Sequence, residues 1–584
     1  MLSVATNARA SVSALGLGAA IALFGIGDAP LSAQSTGQTR TEVETPEVEP
    51  TRTSEVSTEF RRDGGARQSC PFDDSGPAVT INAVEFVDAR DDVVLSEELR
   101  ESLARVPQPG GEYPLTAICD IRDAANDALR RDGWIATVRV PEQTLDGTLR
   151  LNVISARLTE IRITGETGPY RERLQDLLLP LTELDPLNER DAERILLGAN
   201  NIPGLEARLA LAPAGEGEGE VIGNLSANYE RFAAYANVRN YNAKSIGRET
   251  VFGRFEYYGL TGMSDITHVA AQATVDFEEQ LIAEVGHEFG IGRDNIRVGT
   301  SFVYATAHPD IQDLDLSTET FLGNLAVSYP AIRTPKMAVD FTLGLDWVEQ
   351  ETSVGTVTLS KDAIRTVFVR AAVEGQKRRP NRTLALAYRA AIEARRGIGI
   401  FGATSRNQFN IAQTDGVTAS RPFGKADATV VIGEAEATWF PIPQIDIRGL
   451  FEVQWTSDPL LNFDEYAIGN LSIGRGYDPG ANSGDRAVGG IVEVGGTLFE
   501  TLRHRLKVFG FFDIVRLENL DRGTPDPVRT LKSFGGGLRY SFGTGLNAEL
   551  IYASPQDRPL FFDNEVPPDR ILFSITTKFP ALIR

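Results

Sequence analysis

Gly474-Arg475-Gly476-Tyr477 places an arginine between two glycines and ahead of an aromatic, a compact charged finger on a backbone free to take either sign of φ. Further along, Phe511-Phe512-Asp513 sets an acid inside an alternating apolar run, where a carboxylate has to find a partner or water. The chemistry available to these groups is ion pairing: a guanidinium fork fits a carboxylate with two parallel hydrogen bonds. On these residues alone, a surface glycine-rich turn beside an unrelated strand acid is the simpler account. The elements around them decide.

The chain has 584 residues, too many for one core. Ala14 to Gly27 is an apolar run preceded by Arg9 and followed by the small-residue stretch Leu31-Ser32-Ala33, so residues 1–33 are read as a secretory signal. No other segment is apolar for the length of a helical membrane span. Export then leaves a soluble secreted protein or an outer-membrane barrel, whose strands hide their hydrophobicity by alternation. A formal charge of -22 disfavours nucleic acid or an anionic surface as partner. Cys70 and Cys119, an even pair in an oxidising compartment, are most simply a disulfide worth about 3 to 4 kcal/mol; two separate buried thiols are the alternative. The four histidines fall in no HExxH or CxxC setting. There is no GxSxG, no metal-ligand cluster and no glycine-rich loop opening a helix. The expectation is no enzyme, no cofactor and no metal.

Residues 34–69 are rich in Thr, Glu, Pro, Ser and Arg and poor in large apolar residues, the composition of a disordered leader. Residues 70–155 read as one small α+β module. Val79 to Val87 alternates as a strand, Ser96 caps a helix, Asp120 caps a second that Gly133 ends, and Trp134 to Val140 and Thr148 to Ile154 are strands. Residues 156–228 repeat that order: strand Leu158 to Thr164, helix Tyr170 to Leu181, a helix opened by Asp185-Pro186 and stopped at Asn200-Asn201, then strands Leu205 to Leu211 and Glu220 to Ala227.

Helical spacing is absent from residues 229–584, which run as alternating segments near ten residues long, room for an antiparallel barrel of about sixteen strands. Thr250–Tyr258, His268–Phe277, Leu281–Phe289, Ile296–Tyr304, Met337–Leu345 and Arg365–Val373 are the clearest. In Ile571 to Phe579 the residues Ile571, Phe573, Ile575 and Phe579 share one face with Thr577, and Leu572, Ser574, Thr576 and Lys578 the other. The same parity in Leu506 to Val515 puts Val508, Phe512 and Ile514 outside, and Lys507 and Asp513 inside. A soluble all-β sandwich is the alternative, and a single one of this length would be unusually large.

From Cys70 to Phe579 the chain resembles the outer-membrane transporters of two-partner secretion, the TpsB or ShlB/FhaC haemolysin activation/secretion type, within the superfamily that joins POTRA modules to a barrel. The resemblance rests on the Cys-Pro-Phe opening, Ile118-Cys119-Asp120, Gly133-Trp134, the run Val140-Pro141-Glu142-Gln143-Thr144-Leu145-Asp146-Gly147-Thr148-Leu149, and Leu196-Leu197 to Ile202-Pro203-Gly204. Its most specific parts are Gly474-Arg475-Gly476-Tyr477, similar to the superfamily's lumenal loop tip near residues 470–485, and Gly510-Phe511-Phe512-Asp513, similar to its strand motif. The resemblance implies two periplasmic POTRA modules and a barrel in the bacterial outer membrane, with Arg475 folded back to pair with Asp513 and Tyr477 beside them. It further implies an unfolded TpsA-like exoprotein that docks on the modules and crosses the lumen without nucleotide hydrolysis. Client-binding edge strands are expected at Trp134, Val138 and Val140 and at Leu205 and Leu209. Outer-membrane lipid and lipopolysaccharide, and the barrel assembly machinery during insertion, are the other expected partners. A barrel assembly factor is the first alternative and a passive porin or receptor the second. The chain departs from the family in continuing past Phe579 and in showing no amphipathic plug helix in its leader.

Overall fold

The computed structural model describes residues 38, 40–43, 45, 70–72, 77–90, 94–215, 217–293, 295–311, 314–381, 383–404, 417–421, 423–469, 472–521 and 523–579. The expected signal and most of the leader lie outside them. The chain forms two compact units, residues 51–229 and a barrel unit of residues 230–584 that also includes the segment before residue 51.

The first unit holds two α+β modules. In the first, Ala83–Asp88, Thr148–Ser155 and Ala136–Arg139 form a sheet in that order, parallel then antiparallel. Helices Glu97–Leu103 and Thr116–Arg131 cover it, burying Leu99, Leu103, Ala125 and Leu129 against Leu149, Leu151 and Val153. The expected strand from Val79 to Val87 is two: Ala78–Ile81 pairs with Gly111–Pro114, and the chain bends at Asn82 before pairing with Thr148–Ser155. The second helix begins at Thr116 rather than at Asp120, because burial of Ile118 and Cys119 sets its start and no side chain caps it. The sulfurs of Cys70 and Cys119 are joined, with a Cα–Cα distance of 5.8 Å.

In the second module the sheet order is Arg157–Gly165, Glu220–Tyr229, Leu205–Pro213. Helices Arg171–Leu178 and Glu189–Asn200 pack Leu174, Leu177 and Leu196 onto it. Asn188, not Asp185, caps the second of these, accepting from the Arg190 amide at 2.9 Å.

Sixteen antiparallel strands close the barrel, from Phe232–Arg239 to Arg570–Phe579, which pair with each other over Ala234 to Arg239. Alternation sorts the side chains. Phe255, Phe302, Phe341, Leu343, Val492 and Ile571 are exposed on the outer surface, and Glu256, Asp346, Glu393, Arg395, Glu493 and Asp513 are buried inside. In the described residues no helix is long and apolar enough to cross a membrane; the strands do so. Strand length departs from the uniform ten residues expected, ranging from 8 in Phe232–Arg239 to 22 in Val357–Arg378. The cause is visible in Met337–Val354, where outward Phe341, Leu343, Leu345 and Trp347 give way to Glu349 and Glu351. The ladder there outruns the apolar belt. Connections at the rim where the chain enters and leaves are short, such as the turn at Pro443-Gln444 after Thr429–Ile442, whereas at the other rim the strands Leu384–Gly397, Ile445–Thr456 and Leu546–Pro555 are each separated from the next wall strand by a longer stretch of chain.

Candidate functional site: an arginine clamp in the lumen

After strand Ile445–Thr456 the chain turns inward through a 3-10 turn at Asn462–Asp464, forms a two-residue ladder between Tyr466–Ala467 and Ser483–Gly484, and returns to strand Arg486–Glu500. The tongue so formed is buried along both limbs, with Ile468, Ile473 and Tyr477 packed against Ile491, Val515 and Leu531 of the wall. Gly474 takes φ of 108°, open to few residues other than glycine. Gly476 lies so close to the wall that a Cβ would stand 2.7 Å from the Pro555 nitrogen and 2.9 Å from the Ser533 Cβ.

These glycines deliver Arg475 to the wall. Its amide donates to Asp513 Oδ2 at 2.9 Å, Nε to the same oxygen at 3.2 Å, and Nη2 to Oδ1 at 2.9 Å. Nη1 reaches Glu493 Oε2 at 3.1 Å. The guanidinium carbon sits 3.5 Å from the ring centroid of Phe511, whose quadrupole favours a cation on its face. Register explains the convergence: Glu493 lies directly opposite Phe511, and Asp513 directly opposite Ser533 on the next strand. Ser533 Oγ donates to Asp513 at 3.3 Å and faces the Gly476 amide at 3.3 Å.

Asp513, at 0% exposure, needs hydrogen-bond and charge partners in place of water. Four wall acids, Asp446, Glu493, Asp513 and Glu549, share the patch with Lys507 and Arg539: Lys507 reaches Asp446 at 2.5 Å, and Arg539 bonds Glu493 at 3.0 Å and Glu549 at 2.6 Å. Arg475 supplies the further cation. Arg539 repeats its stacking geometry, 3.9 Å over Phe509. Tyr477 is fully buried, its hydroxyl 2.8 Å from the Lys532 carbonyl and accepting from the Asp557 amide at 3.1 Å. Burial pushes its phenol pKa up, so the hydroxyl stays a donor. Arg570 donates to the Tyr477 carbonyl, and Asp478 is gripped by Arg248 at 2.8 Å and Arg570 at 3.0 Å.

The structure thus brings Gly474, Arg475, Gly476, Tyr477, Phe511 and Asp513 together and places Phe512 on the lipid-facing surface, 43% exposed. Sequence reasoning missed Glu493, Ser533, Arg539 and Arg570. The signal for Glu493 was present: in Val492-Glu493-Val494 the valines face out, so the acid faces in.

A second lumenal group comes from the leader. Residues read as disordered contain a helical turn, Arg40–Val43, seated in the barrel. Arg40 Nη1 donates to Asp346 Oδ2 at 2.9 Å, and its guanidinium lies 4.9 Å from the Phe463 ring. Gln350 donates to the Gln38 carbonyl at 2.8 Å, and Thr45 to Glu284 at 2.6 Å. Composition underrated this stretch because its partners are on the barrel wall.

Of the expected edge strands, Ala136–Arg139 and Leu205–Pro213 do lie at sheet edges. The side chains named there point inward: Val138, Leu205 and Leu209 are core residues, Val140 packs on the first core, and Trp134 donates to Ser102 Oγ at 3.1 Å. The backbone of Val138 is also engaged, its N–H by Asn126 Oδ1 at 2.8 Å.

A sixteen-stranded barrel with an apolar belt, a charged lumen and an arginine-bearing tongue folded inside belongs to the class of bacterial outer-membrane β-barrel transporters that carry periplasmic α+β domains. Residues 221–492 match the haemolysin secretion/activation protein family ShlB/FhaC/HecB, and this match, with the structural likenesses that follow, supports a two-partner secretion outer-membrane transporter. Similar solved structures include CdiB from Escherichia coli, 18% identical over 92% of this chain and 100% of that one, with a TM-score of 0.67. CdiB from Acinetobacter baumannii is 15% identical over 94% of this chain and 95% of that one, with a TM-score of 0.59. BamA from Haemophilus ducreyi lacking POTRA domains 1–3 is 11% identical over 86% of this chain and 100% of that one, with a TM-score of 0.51. At these identities each likeness is one of fold. No curated protein matches the sequence. The matched family is one of transporters, and the match supports outer-membrane secretion of a partner protein.

Proposed function

We propose that the chain recognises an unfolded exoprotein on its N-terminal modules and passes it through the barrel to the cell surface without nucleotide hydrolysis. The observation that carries this reading is the Arg475 tongue, docked inside a closed lumen by groups that hold it in one register. An open sheet edge binds an extended client through main-chain hydrogen bonds, with alternate side chains setting preference. Because Asn126 engages Val138, the edge Leu205–Pro213 is the stronger candidate, and Glu206, Arg208 and Ala210, which alternate with its core residues, would read the client. The turn Arg40–Val43 and the tongue would both have to yield for passage.

The test is deletion of the chain in its native host, with restoration as wild type or Arg475→Ala, reading the exported proteome and the heat-modifiable mobility of the barrel together. Loss of one large exported protein, rescued only by wild type, supports the reading. Loss of many other barrels would move the function to barrel assembly, and no change in either would leave a porin.

A further inference from the structure

We propose that Arg421 is a second positioning residue: it pins the root of the lumenal tongue and so holds shut an apolar septum between that root and the lumen wall. It lies in the long loop before strand Thr429–Ile442, far in sequence from Arg475, and is 1% exposed. Nη1 donates to the Leu460 carbonyl at 2.8 Å, on the descending limb of the tongue, and to Asp485 Oδ1 at 2.7 Å, where the returning limb rejoins the wall. The same nitrogen meets Glu465, and Nη2 reaches Asp521 at 2.6 Å and Asn519 at 3.2 Å in the next loop. One guanidinium therefore ties both limbs of the tongue to each other and to a neighbouring loop.

Asp485 is the matching hub. Fully buried, it also accepts from the Leu460 amide at 2.7 Å and the Leu520 amide at 2.6 Å. Residues beside Arg421 complete the clasp: Ser420 Oγ accepts from the Asn462 amide at 3.1 Å, and the Lys425 amide donates to the Pro459 carbonyl at 3.0 Å. Gly424 passes so close that a Cβ would stand 2.7 Å from the Leu460 oxygen.

What the clasp holds is apolar. Leu461 and Phe463, both 0% exposed, project from the tongue's root and meet Ile282, Leu322, Val348 and Ile364 of the wall in one apolar cluster. These wall positions face inward, where a wet lumen calls for polar groups. Val43 of the leader turn joins the same cluster. A dry layer between tongue and wall leaves ions no path along this side of the lumen, and apolar constrictions gate by excluding water. Arg421 keeps Phe463 in that layer by fixing the backbone on either side of it. Arg475 holds the tip of the tongue through separate residues, so the two fastenings are independent.

The inference rests on the transporter reading only in that the septum must open for a client; its test reads ions. Full-length protein, as wild type, Arg421→Met and Phe463→Ala, is placed in planar bilayers and its mean conductance recorded, with heat-modifiable mobility as the measure of an intact barrel. Losing a fastening of desolvated ion pairs shifts a two-state closure by about tenfold or more, so both variants should raise the mean conductance by about that factor while the mobility stays that of wild type. Phe463→Ala removes no charge and carries the test if Arg421→Met does not insert. Intact barrels with wild-type conductance in Phe463→Ala would overturn the septum. Raised conductance in Phe463→Ala together with an intact but unchanged Arg421→Met would overturn the role of Arg421. A host that secretes normally without the chain would defeat the transporter reading and leave this result standing.

Discussion

Replacing Arg475 by alanine removes two of the three hydrogen bonds that reach Asp513 from this residue and leaves the one from its amide, together with the Ser533 hydroxyl at 3.3 Å. Stripping one partner from a buried ion pair costs about 3–5 kcal/mol. The retained amide and hydroxyl offset part of that, each worth about 1 kcal/mol as neutral donors to an anion. Glu493 keeps Arg539 at 3.0 Å and is not orphaned. The net loss is then about 1–3 kcal/mol, a shift of roughly 5- to 150-fold from docked toward undocked tongue. Secretion should fall to background while the barrel stays inserted, and the temperature at which it loses its fast-migrating form should drop. Adding Asp513→Asn to Arg475→Ala neutralises the stranded carboxylate, so the doubly substituted barrel should regain much of its heat resistance and still not secrete. Full secretion by that double variant would refute the register argument, since the arginine would then serve only to neutralise Asp513.

Three further outcomes follow from the geometry. Gly476→Ala should match Arg475→Ala in a secretion assay because its methyl meets Pro555 and Ser533, whereas Gly496→Ala, with nothing within 4 Å, should secrete normally. Replacing Cys70 and Cys119 by alanine opens a loop of 49 residues; the first module should lose about 4 kcal/mol, read as a lower unfolding midpoint of residues 70–229. Partial burial raises the Asp88 carboxyl, but the hydrogen bonds and charge of Arg90 outweigh it and hold it below the ordinary carboxylate value. Its folded pKa is depressed, so its contribution is present above the unfolded value and is lost as pH falls through the folded one. Arg90 also reaches Asp185 of the second module at 3.2 Å. Titration below about pH 4 should therefore weaken the first unit, and Asp88→Asn should flatten that acid limb in a thermal-shift series.

Parity carried the barrel. Leu506 to Val515 and Ile571 to Phe579 alternate strictly enough that the sequence orients every residue, and Asp513 faces inward as expected. The tongue was legible through the resemblance of Gly474-Arg475-Gly476-Tyr477 and Gly510-Phe511-Phe512-Asp513 to paired motifs of one superfamily, since on the residues alone a surface turn is the simpler account. Its other partners were not. Phe511 reads as wall hydrophobic until the guanidinium lands on its ring, and Arg539 and Arg570 are unremarkable strand cations until register sets them beside Glu493 and Tyr477. Local signals failed where tertiary contacts override them: the helix from Thr116 has no capping side chain, and the turn at Arg40–Val43 gains its partners only from the barrel wall.

The tongue is held by two kinds of contact with different consequences. Ile468, Ile473 and Tyr477 adhere to Ile491, Val515 and Leu531 through burial, which has no direction and tolerates sliding. The ion network does not. Along His504–Glu518 the inward residues around the site are Phe509, Phe511, Asp513, Val515 and Leu517, so a shift of two positions either way presents the guanidinium with an apolar side chain, and a shift of one presents a residue on the lipid face. Only one register satisfies Arg475. A buried ion pair adds little net stability for the desolvation it costs, while the penalty for breaking its match is large. Fastening of this kind makes the docked state unique without making it deep, so the tongue's position is defined at rest and the barrel wall, whose ladders are independent of it, remains closed when it moves.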